Sequence, residues 1–338
     1  MRKTSLFELK PRHIVQLTVF IITLAIGLQF YLYVVQAAGE GPYTIPRPAG
    51  VEGFLPIGAL MGWKQFLQTG QWDVIHPAAM VIFGFALAIS LLLHKAFCGW
   101  FCPVGTLSEW MWKIGRRLFG KNIELPAWLD YPLMGVKYLL LGFFLWIILT
   151  MSTGSISAFI NSPYYKISDV KMLRFFTHMT LTTGIVLVIL AVGSLFIKNF
   201  WCRYLCPYGA LTGLFSLFSP TKIRRNSETC TDCGQCSKVC PHRIDVQTKG
   251  TIINPECSGC MDCVDTCPAK GTLSFNFRLL KFRKTCSTKT VGGIIAIICI
   301  GLIYTATLTG HWQSQLPKSE FRNILTQIDS PLISHPGL

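Results

Sequence analysis

Cys230-Thr-Asp-Cys233-Gly-Gln-Cys236-Ser-Lys-Val-Cys240-Pro241 and Cys257-Ser-Gly-Cys260-Met-Asp-Cys263-Val-Asp-Thr-Cys267-Pro268 decide how this chain is read. Both are C-x2-C-x2-C-x3-C-P runs, and only 16 residues separate Cys240 from Cys257. Three closely spaced thiolates fit around one iron–sulfur cube, and the x3 step sends the fourth to a neighbouring cube. The spacing therefore predicts two [4Fe-4S] clusters with crossed ligands. Cluster I takes Cys230, Cys233, Cys236 and Cys267; cluster II takes Cys240, Cys257, Cys260 and Cys263. A structural zinc site would use two C-x2-C pairs instead of two runs of four ending in Pro.

Four more cysteines form a second kind of motif. Phe97-Cys-Gly-Trp-Phe-Cys-Pro-Val-Gly-Thr-Leu107 matches Trp201-Cys-Arg-Tyr-Leu-Cys-Pro-Tyr-Gly-Ala-Leu211 in its aromatic, Cys, Pro, Gly and Leu positions. Each copy is a C-x3-C-P motif directly after a long apolar stretch. The i, i+4 spacing places both sulfurs on one helix face, and Pro suits the first residue of a following helix. Three readings compete for Cys98, Cys102, Cys202 and Cys206: a third iron–sulfur cluster, which we favour, redox-active dithiols, or simple packing. Cys286 and Cys299 match no spacing rule and are read as structural.

The chain is 51% hydrophobic and only 14% charged, too apolar for an ordinary soluble protein. Five segments, Ile14–Ala38, Pro77–Phe97, Pro132–Met151, Met179–Ile197 and Val291–Thr309, are expected to cross a ~30 Å hydrocarbon core, which takes about 20 residues as helix. Arg2 and Lys3 before the first segment resemble the start of a signal peptide, but its apolar core exceeds the ~7–15 residues of a signal h-region, so it is read as a retained helix.

The net charge of +15 follows this topology. Lys and Arg number 4 in residues 1–13, 5 in 95–131 and 14 in 198–289, against 2 in 39–76, 3 in 152–178 and 2 in 310–338, or 23 against 7. Positive-inside bias then puts the N-terminus and the cysteine runs in the cytoplasm and the C-terminus outside, with Lys281, Arg283, Lys284 and Lys289 flanking the fifth helix. The excess charge meets anionic membrane lipid; no aromatic–basic stripe of the RNA-binding kind is present, and no nucleic-acid partner is expected. On the reducing side thiolates stay free for metal.

The fold expected is a membrane α-helical bundle of two parallel helix-pair repeats plus a fifth helix, with an inserted small α+β two-cluster ferredoxin domain. Residues 1–221 form the four-helix module, 222–285 the ferredoxin domain, 286–310 the fifth helix and 311–338 an outside tail. Phe54–Leu67, apolar with one charge, suits a short helix in the interface, with Phe159–Ile167 as its counterpart. His76 and His178 lie 22 and 24 residues ahead of the two C-x3-C-P motifs and are candidate quinone or haem contacts, against the blander reading of headgroup-level histidines. No C-x-x-C-H, P-loop or Gly-rich dinucleotide loop occurs.

The C-x3-C-P motifs together with the two four-cysteine runs resemble the NapH-type membrane polyferredoxins, quinol-dehydrogenase subunits related to the NosR-like and CcoG-like membrane cores. The resemblance covers about residues 14–275, and the fifth helix and tail go beyond the four-helix NapH plan. It implies electron exchange between the quinone pool and a partner, such as a multihaem cytochrome or an iron–sulfur protein, at the bacterial inner membrane. The expectation is a quinone-linked oxidoreductase subunit of a respiratory complex. The alternative is an assembly or maturation factor that reduces a metal or thiol in a client protein; a redox sensor is a weaker third.

Overall fold

A computed structural model describes residues 10–39, 41, 44–279, 282–330 and 333. Arg2, Lys3, Lys281, the Arg283 side chain and most of residues 331–338 lie outside the description.

The apolar runs become helices, and local chemistry sets their ends. The order begins α1 (Pro11–Ala38), α2 (Pro56–Thr69), α3 (Pro77–Leu92), α4 (Pro103–Phe119) and α5 (Ala127–Thr150). It continues α6 (Thr153–Ile160), α7 (Pro163–Lys166), α8 (Ser168–Thr177), α9 (Leu181–Phe196) and α10 (Pro207–Leu217). Proline opens α2, α4, α7 and α10, where its missing N–H costs nothing. Ser152 and Ser162 cap α6 and α7 by accepting from Ser155 N and Tyr165 N. The segment Phe54–Leu67 does hold a helix, α2, and residues 159–167 contain the end of α6 and all of α7.

After α10 come β1 (Thr221–Arg225), α11 (Gln235–Val239), α12 (Asp262–Thr266), β2 (Leu273–Leu279) and β3 (Phe282–Thr285), then α13 (Thr288–Leu308) and α14 (Lys318–Thr326). The strands form one antiparallel sheet in the order β1-β2-β3, with Ile223 opposite Phe275 and Phe277 opposite Lys284.

Helices α1, α5 and α13 are long and apolar enough to cross a membrane; α9 qualifies only together with α8, across a 79° bend. Of the five expected spans, the first, third and fifth are thus long single helices, the fourth is the bent pair, and the second, α3, is a shorter apolar helix. Each of α3 and α9 has 16 residues, about 24 Å of helix, short of the hydrocarbon thickness. α3 stops at Leu92, short of the expected Phe97, and His94 beyond it takes a left-handed conformation (φ +60°); α9 covers Leu181–Phe196 of the expected Met179–Ile197. Large apolar side chains stay exposed on the long helices, including Ile21, Leu24, Leu139, Trp146, Leu149 and Ile297. Apolar outward faces on apolar helices suit lipid, not water.

The chain divides into two compact units, and α1, α3, α5, α9 and α13 each contribute to both. One unit comprises residues 1–20, 86–141 and 187–298 and holds both kinds of cysteine motif. Its buried side chains include Trp100, Tyr204, Ile223, Ile252 and Phe275. The other comprises 21–85, 142–186 and 299–338. Its core packs Phe30, Tyr33 and Ala37 of α1 on Ile167, Val170 and Phe321, beside a second cluster of Met61, Ile75, Ile148, Ile156 and Tyr165.

Candidate metal centres

The two four-cysteine runs fold as two copies of one backbone. In the first, Asp232 and Gly234 take positive φ (+50° and +68°) on either side of Cys233; in the second, Gly259 and Met261 do so (+59° and +64°) around Cys260. A one-turn helix follows each, and Cys240 leaves α11 at φ −61°, ψ 119° as Cys267 leaves α12 at −64°, 120°. Non-glycine residues held at positive φ cost energy and persist where the site demands the turn.

These turns group the thiols crosswise. Cys240 lines a cavity of about 360 Å³ with Cys257, Cys260 and Cys263, walled by Ile223, Val246 and Ile252. Cys267 lines a second, of about 330 Å³, with Cys230, Cys233 and Cys236. Among the described residues no three His, Cys, Asp or Glu side chains close on a point that one ion could occupy. Thiols standing around a cavity suit a polynuclear cluster better than a single zinc. Burial pushes Cys257 up to about 12 and Cys260 and Cys263 well above the usual thiol range; a bound cationic centre would favour their thiolates.

The two C-x3-C-P motifs meet in the same unit. Cys98, Cys102, Cys202 and Cys206 line one cavity of about 600 Å³. Each motif is one π-helical turn, Phe97–Phe101 or Trp201–Leu205, and each second Cys caps the helix that follows. The Cys206 Sγ accepts from Gly209 N at 3.2 Å. Gly105, its repeat counterpart, is required sterically: a Cβ there would lie 2.6 Å from the Cys98 carbonyl oxygen. Burial and then the neighbouring Cys98 thiol push Cys102 up to about 12, and burial with the other three thiols holds Cys202 well above its ordinary value. Dithiol exchange favours thiols of lowered pKa, whereas Cys102 and Cys202 are pushed up. A half-buried four-sulfur donor set fits an iron–sulfur centre.

Charged residues surround these cavities in ways that the local sequence did not reveal. Arg12, at the start of α1, donates Nε to Gly99 O at 2.9 Å and Nη1 to Asp262 Oδ2 at 2.9 Å, and pairs with Glu109. Burial alone would raise Glu109, but Arg12 and Lys113 outweigh it and hold the carboxyl down at about 2. Arg203, inside the second motif, forks onto Asp130 at 3.0 and 2.5 Å. Lys95 and Lys137 converge on Glu256. Only Lys137 carried a signal in the sequence, as a lone charge within an apolar helix.

The two histidines are not alike. His76 is fully buried in the other unit, with Nε2 2.8 Å from Tyr165 O and Nδ1 3.1 Å from Arg47 Nη2 and 3.5 Å from Glu52 Oε1. Burial disfavours its charge, yet Glu52 beside it raises it above the ordinary histidine value. His178 is exposed at the end of α8, its Nδ1 3.0 Å from Thr177 Oγ1.

Comparison with known proteins agrees with the site. The family described as a 4Fe-4S binding domain matches residues 75–122 and again 179–226, the two C-x3-C-P segments. A 4Fe-4S dicluster domain matches 222–269. A putative electron transport protein, YccM of Escherichia coli, is 45% identical over 96% of this chain and 91% of its own length. The chain belongs to the NapH-type family of ferredoxin-like membrane electron-transport proteins. More distant members include the ferredoxin-type protein NapH of Haemophilus influenzae, 25% identical over 57% of this chain and 68% of its own. The regulatory protein NosR of Stutzerimonas stutzeri is 29% identical over 58% of this chain but only 27% of itself. No solved structure matches the chain. As a family member it is a membrane electron-transport protein with 4Fe-4S domains.

Proposed function

We propose that this chain exchanges electrons between membrane quinone and a partner redox protein, using three iron–sulfur centres held by twelve cysteines. The observation that carries the reading is the cavity shared by Cys98, Cys102, Cys202 and Cys206 at the ends of two apolar helical stretches. It supports a third donor set beside the ferredoxin-type runs. When bound, such centres take up and release one electron at a time.

The chain's own residues supply the rest. The double match of one family to 75–122 and 179–226 supports two parallel helix-pair repeats, with the ferredoxin domain inserted before α13. The bias of 23 basic residues against 7 supports a cytoplasmic N-terminus and ferredoxin domain and an outside C-terminus in the bacterial inner membrane. A quinol reaches the bundle from lipid, and its oxidation releases two electrons and two protons. His178, exposed at a helix end, would serve as a quinone contact, and His76, paired with Glu52 and Arg47, as a proton-holding group. Haem ligation by His76 is disfavoured, because both ring nitrogens already face protein partners. The partner is taken to be a multihaem cytochrome or an iron–sulfur protein.

Mixing the purified protein in lipid nanodiscs with a short-chain quinol or quinone, under anaerobic conditions, tests this. Visible bleaching by the quinol, or recolouring of the reduced protein by the quinone, is expected. No electron exchange with either would contradict the proposal and favour an assembly factor acting on a client protein.

A further inference from the structure

The two C-x3-C-P loops do not lie against the ferredoxin-type domain at random. The first loop touches the second run: Trp100 Nε1 donates to Gly259 O at 3.0 Å, and a Cβ on Gly99 would lie 2.5 Å from the Ser258 carbonyl oxygen. The second loop touches the Cys240-Pro241-His242 segment: Arg203 Nη1 donates to His242 O at 2.7 Å and Asn199 Nδ2 to Pro241 O at 3.4 Å. Through the crossed grouping, both contacted segments carry ligands of the Cys240/Cys257/Cys260/Cys263 cavity. Pro241, His242 and Ser258 line that cavity and the C-x3-C-P cavity alike, so they form a shared wall. None of them lines the Cys230/Cys233/Cys236/Cys267 cavity.

Two buried cations line the C-x3-C-P cavity: Arg12, which pairs with Glu109 and Asp262, and Lys95. Lys95 is 2% exposed and lines the C-x3-C-P cavity. Its Nζ donates to Pro255 O at 3.2 Å, two residues before Cys257, and lies 3.9 Å from Glu256. That carboxylate is already held by Lys137, with both oxygens at 2.6 Å. Two ammonium groups thus face one carboxylate, leaving one positive charge over. Burial opposes charge on Lys95, but Glu256 and the sulfurs of Cys98, Cys206 and Cys202 outweigh it.

We propose that the Cys98/Cys102/Cys202/Cys206 centre exchanges electrons with the Cys240/Cys257/Cys260/Cys263 centre across the wall of Pro241, His242 and Ser258, that Lys95 is the positioning charge both share, and that the Cys230/Cys233/Cys236/Cys267 centre is the far terminus. The inference rests on the three-centre reading above. Each step moves one electron from one centre to the next, and no bond forms or breaks. An electron arriving at either side of the wall adds negative charge in a dry region, and the Lys95 ammonium stabilises it there. Cys233, the exposed ligand, belongs to the terminus, where a partner can approach.

The test is a dithionite titration of the full-length protein in nanodiscs, read by electron paramagnetic resonance with iron counted in the same samples. Lys95→Met is expected to shift both wall-sharing centres toward the oxidised form at least tenfold at fixed potential, equivalent to about 59 mV for one electron. The Cys230-run centre should shift less, and Lys95→Arg should restore the native values. An equal shift of all three centres, no shift, or failure of Lys95→Arg to restore would overturn the inference. Should Lys95→Met not fold, magnetic coupling decides. In Cys233→Ala, which disables the terminus, coupling between the other two centres should persist; its disappearance contradicts the order. About eight irons in the unaltered protein would overturn the three-centre reading itself, whereas about twelve irons with no Lys95 effect would overturn only the wiring.

Discussion

Lys137, in the middle of an apolar helix, places its ammonium 2.6 Å from both carboxylate oxygens of Glu256, the residue before Cys257. The pair is buried, with side chains 0% and 3% exposed, and Tyr138 adds a hydrogen bond to Glu256 at 3.1 Å. It fastens α5 to the second four-cysteine run. Burial alone would raise Glu256, but Lys95 and Lys137 hold it down at about 2. Glu256→Gln, which leaves both ammonium groups without a carboxylate, should therefore cost about 3–5 kcal/mol, and Lys137→Met, which leaves Glu256 with Lys95, should cost less. Thermal unfolding in detergent measures both; a Glu256→Gln variant as stable as the parent would remove the pair's structural role.

Gly115 of α4 faces the backbone of α9, where an added Cβ would lie 1.8 Å from the Leu195 carbonyl oxygen. Backbone cannot move aside as a flexible side chain can. Gly115→Ala should destabilise by at least about 1–3 kcal/mol, the range for overpacking. Gly142→Ala on α5, where nothing lies within 4 Å, is the control and should be tolerated. Similar melting of the two variants would show that the α4–α9 approach is looser than described.

The crossed grouping gives a spectroscopic prediction. Cys240→Ala should damage the centre bound by Cys257, Cys260 and Cys263, and Cys267→Ala the one bound by Cys230, Cys233 and Cys236. Resonance spectra of the two variants, each compared with loss of a run-internal ligand, separate the cases. Damage confined to each variant's own run would contradict the crossing.

The cysteine groups were legible because ligand spacing is local: two residues between thiols dictate a tight turn wherever the segment lies in the fold. The repeat was legible for the same reason, down to Gly105 and Gly209, which follow each Cys-Pro by one residue. The shared wall was not. It depends on pairs far apart in sequence, Gly99 with Ser258 and Arg203 with His242, and such contacts leave no period. Helix length was misread at α3 because hydropathy counts side chains, whereas the backbone leaves the helix at Leu92 and reverses φ at His94. Lys95 looked like one more positive-inside charge, although it is buried beside four sulfurs.

Orientation can be tested without purification. A reporter fused after Thr285 should behave as cytoplasmic and one fused after Leu338 as extracytoplasmic, because 23 basic residues fall on one set of loops and 7 on the other. α13, 21 residues long, is the span between them. If both fusions report the same side, α13 does not cross.

Iron content tests the central claim most directly. Three cysteine quartets, each around its own cavity, predict about twelve irons and an equal amount of acid-labile sulfide per chain of anaerobically purified protein, four for each [4Fe-4S] centre. Cys98, Cys102, Cys202 and Cys206 should then resist alkylation until the iron is removed. About eight irons, with those four thiols open to alkylation in the native protein, would contradict the account.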